Sequence, residues 1–145
     1  LTLIEKAIQI LGELETTKGK KAVGGEFAIA LTSLGNNYRR RKQYAMALMT
    51  YNRALGYVPR HFSAQIGKGV VLTHAKRFPE ARKEFEAILD NEQLTQPEQA
   101  QAWFYLGKTL CDSQLNREAG IAAFEQAIKL KPDYEAAFEA KDSCL

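Results

Sequence analysis

The chain is 145 residues long, the size of one ordinary domain, and with 46% hydrophobic and 26% charged residues it reads as a folding rather than a disordered polypeptide. Its formal net charge of +3 is too small to imply nucleic-acid binding, and no apolar run approaches the roughly 20 residues of a membrane span, so neither nucleic acid nor membrane is expected as a partner. Charge is unevenly placed: residues 1–61 hold 10 Lys/Arg against 4 Asp/Glu and residues 62–145 hold 10 against 13, which predicts a basic face toward one end. Cys111 and Cys144 are too few for a disulfide framework and are expected as free thiols in the cytoplasm or another reducing compartment. No basic-then-apolar leader is visible, and a chain opening on Leu1 rather than Met is expected to be a fragment or a processed product.

In chain order, Leu3, Ile4, Ala7, Ile8, Leu11 and Leu14 recur at three and four and predict a helix over 1–14. Residues 15–25, rich in Lys and Gly, read as a loop. Helix pairs are predicted at 26–41 with 44–57, 61–75 with 78–90, and 97–113 with 116–130, the polar stretch 91–97 forming a longer connection. Asp133 is the expected N-cap of a last helix over 134–143, which carries Tyr134, Ala137 and Phe138 on one side. No segment alternates as a strand does, and proline falls only at turns or helix starts.

Small residues reveal an internal repeat. Gly35, Gly69 and Gly107 are separated by 34 and 38 residues, and so are Ala47, Ala81 and Ala119. Such residues let two helices approach closely, and Ala47, Ala81 and Ala119 are therefore expected at the close contacts. Tyr51 and Phe85 follow the first two alanines by four, whereas Phe124 follows Ala119 by five; a bulge letting Gly120 take the small place would absorb the difference.

At these residues the chain resembles the tetratricopeptide repeat family. The first copy reads Leu31-x2-Leu34-Gly35-x2-Tyr38, then Ala47, Tyr51, Ala54 and Pro59. The third opens Trp103-x2-Leu106-Gly107, and the second keeps Gly69, Leu72, Ala81 and Phe85 but carries Gln65 and Lys68 at apolar places. The resemblance implies an all-α, right-handed α-solenoid of helix-turn-helix repeats forming a single domain. Repeats would run over 28–61, 62–95 and 100–133, with 1–14 as the second helix of a truncated repeat, 15–25 as a loop and 134–145 as a capping helix.

The sequence carries no catalytic constellation. His61 and His74 pair with no Cys or carboxylate at ligand spacing, Leu106-Gly107-Lys108-Thr109 lacks the strand and first glycine of a phosphate loop, and Gly24-Gly25 lacks the rest of a dinucleotide fingerprint. No catalytic residue, cofactor or metal is expected. The resemblance instead implies a concave groove lined by the first helix of each pair. Carried across, its lining is Ile29, Thr32, Ser33, Asn36, Arg39 and Arg40, then Ser63, Ile66, Gly67, Val70, Thr73 and His74, then Gln101, Phe104, Tyr105, Lys108, Cys111 and Asp112, with Ile29, Asn36, Arg39, Arg40, Ile66, Val70, His74, Gln101, Phe104, Tyr105 and Lys108 as the expected partner contacts.

Family members that clamp acidic chaperone tails use Lys, Asn, Asn, Lys and Arg where this chain has Thr32, Asn36, Gly67, Gln101 and Tyr105. Only Asn36 agrees, so such a clamp is not expected. The cluster Arg39-Arg40-Arg41-Lys42 suits a helix C-terminus and equally an acidic partner. The expected function is a non-enzymatic protein-interaction module for a peptide or helix with apolar and acidic residues. The alternatives are a scaffold segment of a large assembly and an accessory domain of an enzyme. Leu34-Gly35-Asn36-Asn37-Tyr38-Arg39-Arg40 is similar to scaffold subunits of the anaphase-promoting complex. A terminal helix lacking its repeat partner also predicts self-association, as a homo-dimer.

Overall fold

Every regular element among the described residues of this computed structural model is an α-helix. Residues 2–114 and 116–145 are described, 17, 18 and 20–22 by their backbone alone. The helices are α1 (Leu3–Lys18), α2 (Lys20–Arg40), α3 (Tyr44–Tyr57), α4 (Phe62–His74), α5 (Phe78–Leu89), α6 (Gln96–Asp112), α7 (Arg117–Leu130) and α8 (Glu135–Cys144). Two start at reciprocal caps. Thr2 and Glu5 exchange side-chain and backbone bonds at the head of α1, and Thr95 and Glu98 do so at α6. Each such pair satisfies two of the amide groups a helix start leaves without partners.

The loop expected over 15–25 is helical but for Gly19, whose φ of +88° breaks the backbone between α1 and α2. Val23, Phe27, Ala28 and Leu31 are all buried. Burying one such large side chain contributes about 1.5–3 kcal/mol, and a glycine inside a helix costs about 1. Core contact therefore carries α2 back through Gly24 and Gly25. Asp133 does not cap α8 either. Tyr134 occupies the N-cap place with no side-chain bond, and its ring packs against Phe104 at 5.1 Å between centroids.

The helix pairs close on a shared turn. Lys42, Lys76 and Gln114 hold φ of 59°, 62° and 56°. In the first two turns the next amide reaches back five residues, Gln43 N to Tyr38 O at 2.9 Å and Arg77 N to Leu72 O at 2.8 Å. That is the left-handed cap which normally favours glycine. A side chain in this conformation costs roughly 1–2 kcal/mol, so Lys76→Gly should stabilise the chain by about 1 kcal/mol in urea denaturation.

Three residues separate the helices at 41–43 and at 75–77, but four lie between Asp112 and Arg117. The extra residue is therefore in the connection, and α7 is a regular α-helix without a bulge. This corrects the third contact point. Ala47 and Ala81 are fully buried, but Ala119 is half-buried and Gly120 is the residue packed inside.

The chain divides into two compact units, Leu1–Val71 and Leu72–Leu145. In the first, α1 packs on α2 and α2 on α3. Val23, Phe27, Leu31, Ala47, Tyr51, Ala54, Ala64 and Val71 form its core. The α1 side chains Ile8, Leu11 and Leu14 pack against it, while Leu3 and Ile10 stay exposed. Phe27 stacks on Tyr57 at 4.6 Å, and the Tyr57 hydroxyl donates to Glu15 Oε2 at 2.9 Å. In the second unit α5 packs on α6, α6 on α7, and α8 on both α6 and α7.

Candidate functional site

The second unit holds a cleft of about 810 Å³. Helix α6 supplies one wall. Phe104, Lys108, Cys111 and Asp112 follow one another at the spacing of a single helix face and all line the cleft. Thr73 and His74 from the end of α4, with Lys76 and Phe78 beyond it, add a second side. The opposite wall is α8, through Ala136, Glu139, Ala140, Ser143 and Cys144, and Gln114, Arg117 and Phe124 complete the lining. The structure thus gathers six of the sequence-predicted residues, Thr73, His74, Phe104, Lys108, Cys111 and Asp112. It adds two cations outside the predicted set, Lys76 and Arg117. With Lys108 they outnumber the carboxylates Asp112 and Glu139.

Aromatic packing sets the apolar part. Phe104 lies 5.1 Å from Tyr105, 5.9 Å from Phe124 and 5.1 Å from Tyr134 between ring centroids, and Lys108 Nζ sits 5.8 Å over its ring. Tyr105 stacks on Phe85 at 6.1 Å. Both Phe104 and Tyr105 are half-buried, so each ring is partly committed to the fold and partly open. Burial, with a smaller effect of Tyr105, pushes the Tyr134 phenol up to about 12 and keeps it neutral. Beneath this layer the Thr73 and Thr109 hydroxyls share a hydrogen bond of 2.8 Å, and Thr109 also donates to Tyr105 O at 2.9 Å.

The two cysteines are joined. Cys111 and Cys144 form a disulfide that ties α6 to α8, and both line the cleft. The expectation of two free thiols is corrected, and with it goes the ground for assigning a reducing compartment. Their separation of 33 residues was the missed signal. It is one short of the repeat interval, and the pair stands on α6 and α8.

The remaining predicted residues fare differently. In the first unit Ile29 is 61% exposed and Arg40 is exposed, with Arg39 half-buried. Asn36 Oδ1 accepts the Tyr51 hydroxyl at 2.5 Å. Ile66 and Val70 are buried and offer a ligand little surface. Gln101, in the second unit, is half-buried and does not line the cleft. Burial lowers the pKa of His61, which stands just before α4. Among the described residues no group of His, Cys, Asp and Glu is placed to hold a metal ion, and no helix is long and apolar enough to cross a membrane.

Comparison with known proteins follows the same lines. A family model described as tetratricopeptide repeat matches residues 32–94 and 77–135. A search of curated proteins returns no match. Among solved structures, the chain is similar to the first TPR domain of the human RPAP3 protein, with a TM-score of 0.74 at 17% identity over 83% of this chain and 91% of that one. It is similar to the Sgt2 TPR domain from Aspergillus fumigatus, with a TM-score of 0.72 at 20% identity over 81% and 76%. It is also similar to the second TPR domain of human RPAP3, solved in complex with the HSP70 peptide SGPTIEEVD, with a TM-score of 0.70 at 15% identity over 83% and 97%.

Proposed function

Since the chain belongs to the tetratricopeptide repeat family, we propose that it is a non-catalytic protein-interaction module whose second unit binds a peptide segment carrying acidic and apolar residues. The observation that carries this is the cleft itself. It sets the partly open Phe104 ring beside Lys108, with Lys76, His74 and Arg117 around the same space. An aromatic anchor with flanking cations suits a partner in which a large apolar side chain is bracketed by carboxylates.

The structural neighbour bound to an HSP70 peptide makes such peptides an obvious candidate, but three of the clamp places here serve packing. Thr32 is buried, with its hydroxyl donating to Ala28 O at 2.6 Å. Gly67 has no side chain and lies against the Tyr51 ring, and Asn36 is engaged by Tyr51. The proposal is therefore a different acidic segment, read by the second unit.

A fluorescein-labelled peptide of alternating Glu and Leu, followed by anisotropy and stopped flow, tests it. Lys108→Glu should weaken binding about 10-fold, chiefly by slowing association, with the effect fading as salt rises. Phe104→Ala should instead speed dissociation, provided circular dichroism shows unchanged helicity. Unchanged rates in the Lys108 and Phe104 variants would remove the cleft as the binding surface.

A further inference from the structure

The cleft has one wall that is covalently held. We propose that the Cys111–Cys144 bond is a redox-cleavable tether fixing α8 against α6. A dithiol reductant would then loosen the end of α8 and weaken the hold of the cleft on an acidic peptide. The second half rests on the binding reading above; the first does not.

Helix α8 is anchored unevenly along its length. Its beginning is packed: Ala137 is fully buried and the Tyr134 ring lies on Phe104 at 5.1 Å. Its end has far less. Lys141 Nζ meets Glu125 Oε1 at 3.2 Å, but with side chains 30% and 56% exposed this pair contributes little. Leu145 is 75% exposed, and Cys144 is the one buried side chain in the last two turns. A helix of 10 residues is too short to persist without tertiary contacts. The disulfide is therefore the principal restraint on residues 139–145, and it is this half that gives the cleft Glu139, Ala140 and Ser143.

The other end of the tether is packed. A Cβ on Gly120 would meet Cys111 Sγ, so the sulfur is seated directly on α7. Cys144 is buried but Cys111 is half-buried, and both line the cleft, so a small reductant reaches the bond from the Cys111 side. A thiolate of the dithiol attacks one sulfur, the S–S bond breaks and a mixed disulfide forms. The second thiol then closes on it and the reductant leaves as a cyclic disulfide. Cys111 and Cys144 take up two electrons and two protons as thiols.

The test compares the air-oxidised chain with the same chain in dithiothreitol, by hydrogen–deuterium exchange and by anisotropy with the Glu-Leu peptide. Reduction should speed amide exchange across 139–145 about 10-fold or more and leave α6 unchanged. Peptide affinity should fall about 3–10-fold. Cys144→Ser should show the fast exchange and the weaker binding with or without reductant. Equal exchange in the oxidised and reduced chains overturns the tether, as does full reaction of both thiols with iodoacetamide before any reductant is added. Faster exchange with unchanged affinity overturns the coupling to the cleft and leaves the binding reading standing. Faster exchange with no binding in either state removes the binding reading, and the coupling with it, while the tether itself stands.

Discussion

Tyr51→Ala should lower the stability of the N-terminal unit by about 3–5 kcal/mol, the cost of emptying a large aromatic site in a close-packed core. Tyr51 is fully buried. It is also wedged: a Cβ on Gly35 would lie 2.7 Å from its ring, and a Cβ on Gly67 would lie 2.4 Å from it. Two glycines from two different helices thus make room for one ring, whose hydroxyl ends on Asn36 Oδ1 at 2.5 Å. Burial raises the pKa of that phenol, against a smaller opposing effect of Arg39 and Arg40, so it donates as a neutral group. Gly67→Ala should cost about 1–3 kcal/mol, because the added methyl meets an aromatic ring held on both sides. The two effects should not add. Once the ring is gone the extra methyl has space, so Tyr51→Ala with Gly67→Ala should lose clearly less than the sum of the single variants. Urea denaturation of the three proteins measures the coupling, and additive losses would show that the ring and Gly67 do not share one slot.

Much of this fold was legible because the repeat spacing and the helical period agree. The intervals of 34 and 38 residues predicted the paired helices, and the three pairs run within a few residues of the predicted bounds except at the start of α2. There, composition misled: Lys and Gly suggested a loop, but propensity is a weak preference beside the burial of Val23 and Phe27. The turn residues were illegible for a different reason. Lys42, Lys76 and Gln114 occupy left-handed places that sequence rules reserve for Gly or Asn. The two capping boxes, by contrast, do follow a sequence signature, in Thr2-x2-Glu5 and Thr95-x2-Glu98.

At the site, sequence register placed His74, Phe104 and Lys108 on first-helix faces, and they do line one cleft. It also placed Ile66 and Val70 there, where the structure buries them. Register can say which side of a helix a residue occupies; how deeply the neighbouring helices cover that side depends on their packing. Lys76 and Arg117 were illegible because they stand at helix boundaries, outside the three-and-four pattern that marks a face.

Gly120→Ala should destabilise the C-terminal unit by about 1–3 kcal/mol, although alanine is the better helix former by about 1 kcal/mol. The added Cβ would meet Cys111 Sγ at 2.4 Å, Gly107 O at 3.1 Å and Cys111 N at 3.2 Å. Two of these are backbone atoms of α6, and the third is a sulfur held in the disulfide, so nothing nearby yields without moving a helix. On the other side of this contact Gly107 is equally constrained, since a Cβ there would lie 2.8 Å from the Phe124 ring. Ala119→Val, one residue away, should change stability by less than about 1 kcal/mol, because Ala119 is half-buried at the edge of the groove lined by Trp103 and Leu89. The contrast decides the register of the third pair. A counting rule that keeps 12 residues between the small places puts the sensitive position at Ala119, and a connection longer by one residue puts it at Gly120. Reduction of the disulfide separates the two sources of strain within the Gly120 variant. Freeing the sulfur should recover part of the loss, whereas the part set by Gly107 O should remain, because α6 and α7 still approach at the same distance. Urea denaturation of both variants, oxidised and reduced, gives the four values. A larger loss for Ala119→Val than for Gly120→Ala would return the contact to the register that the sequence spacing alone suggests.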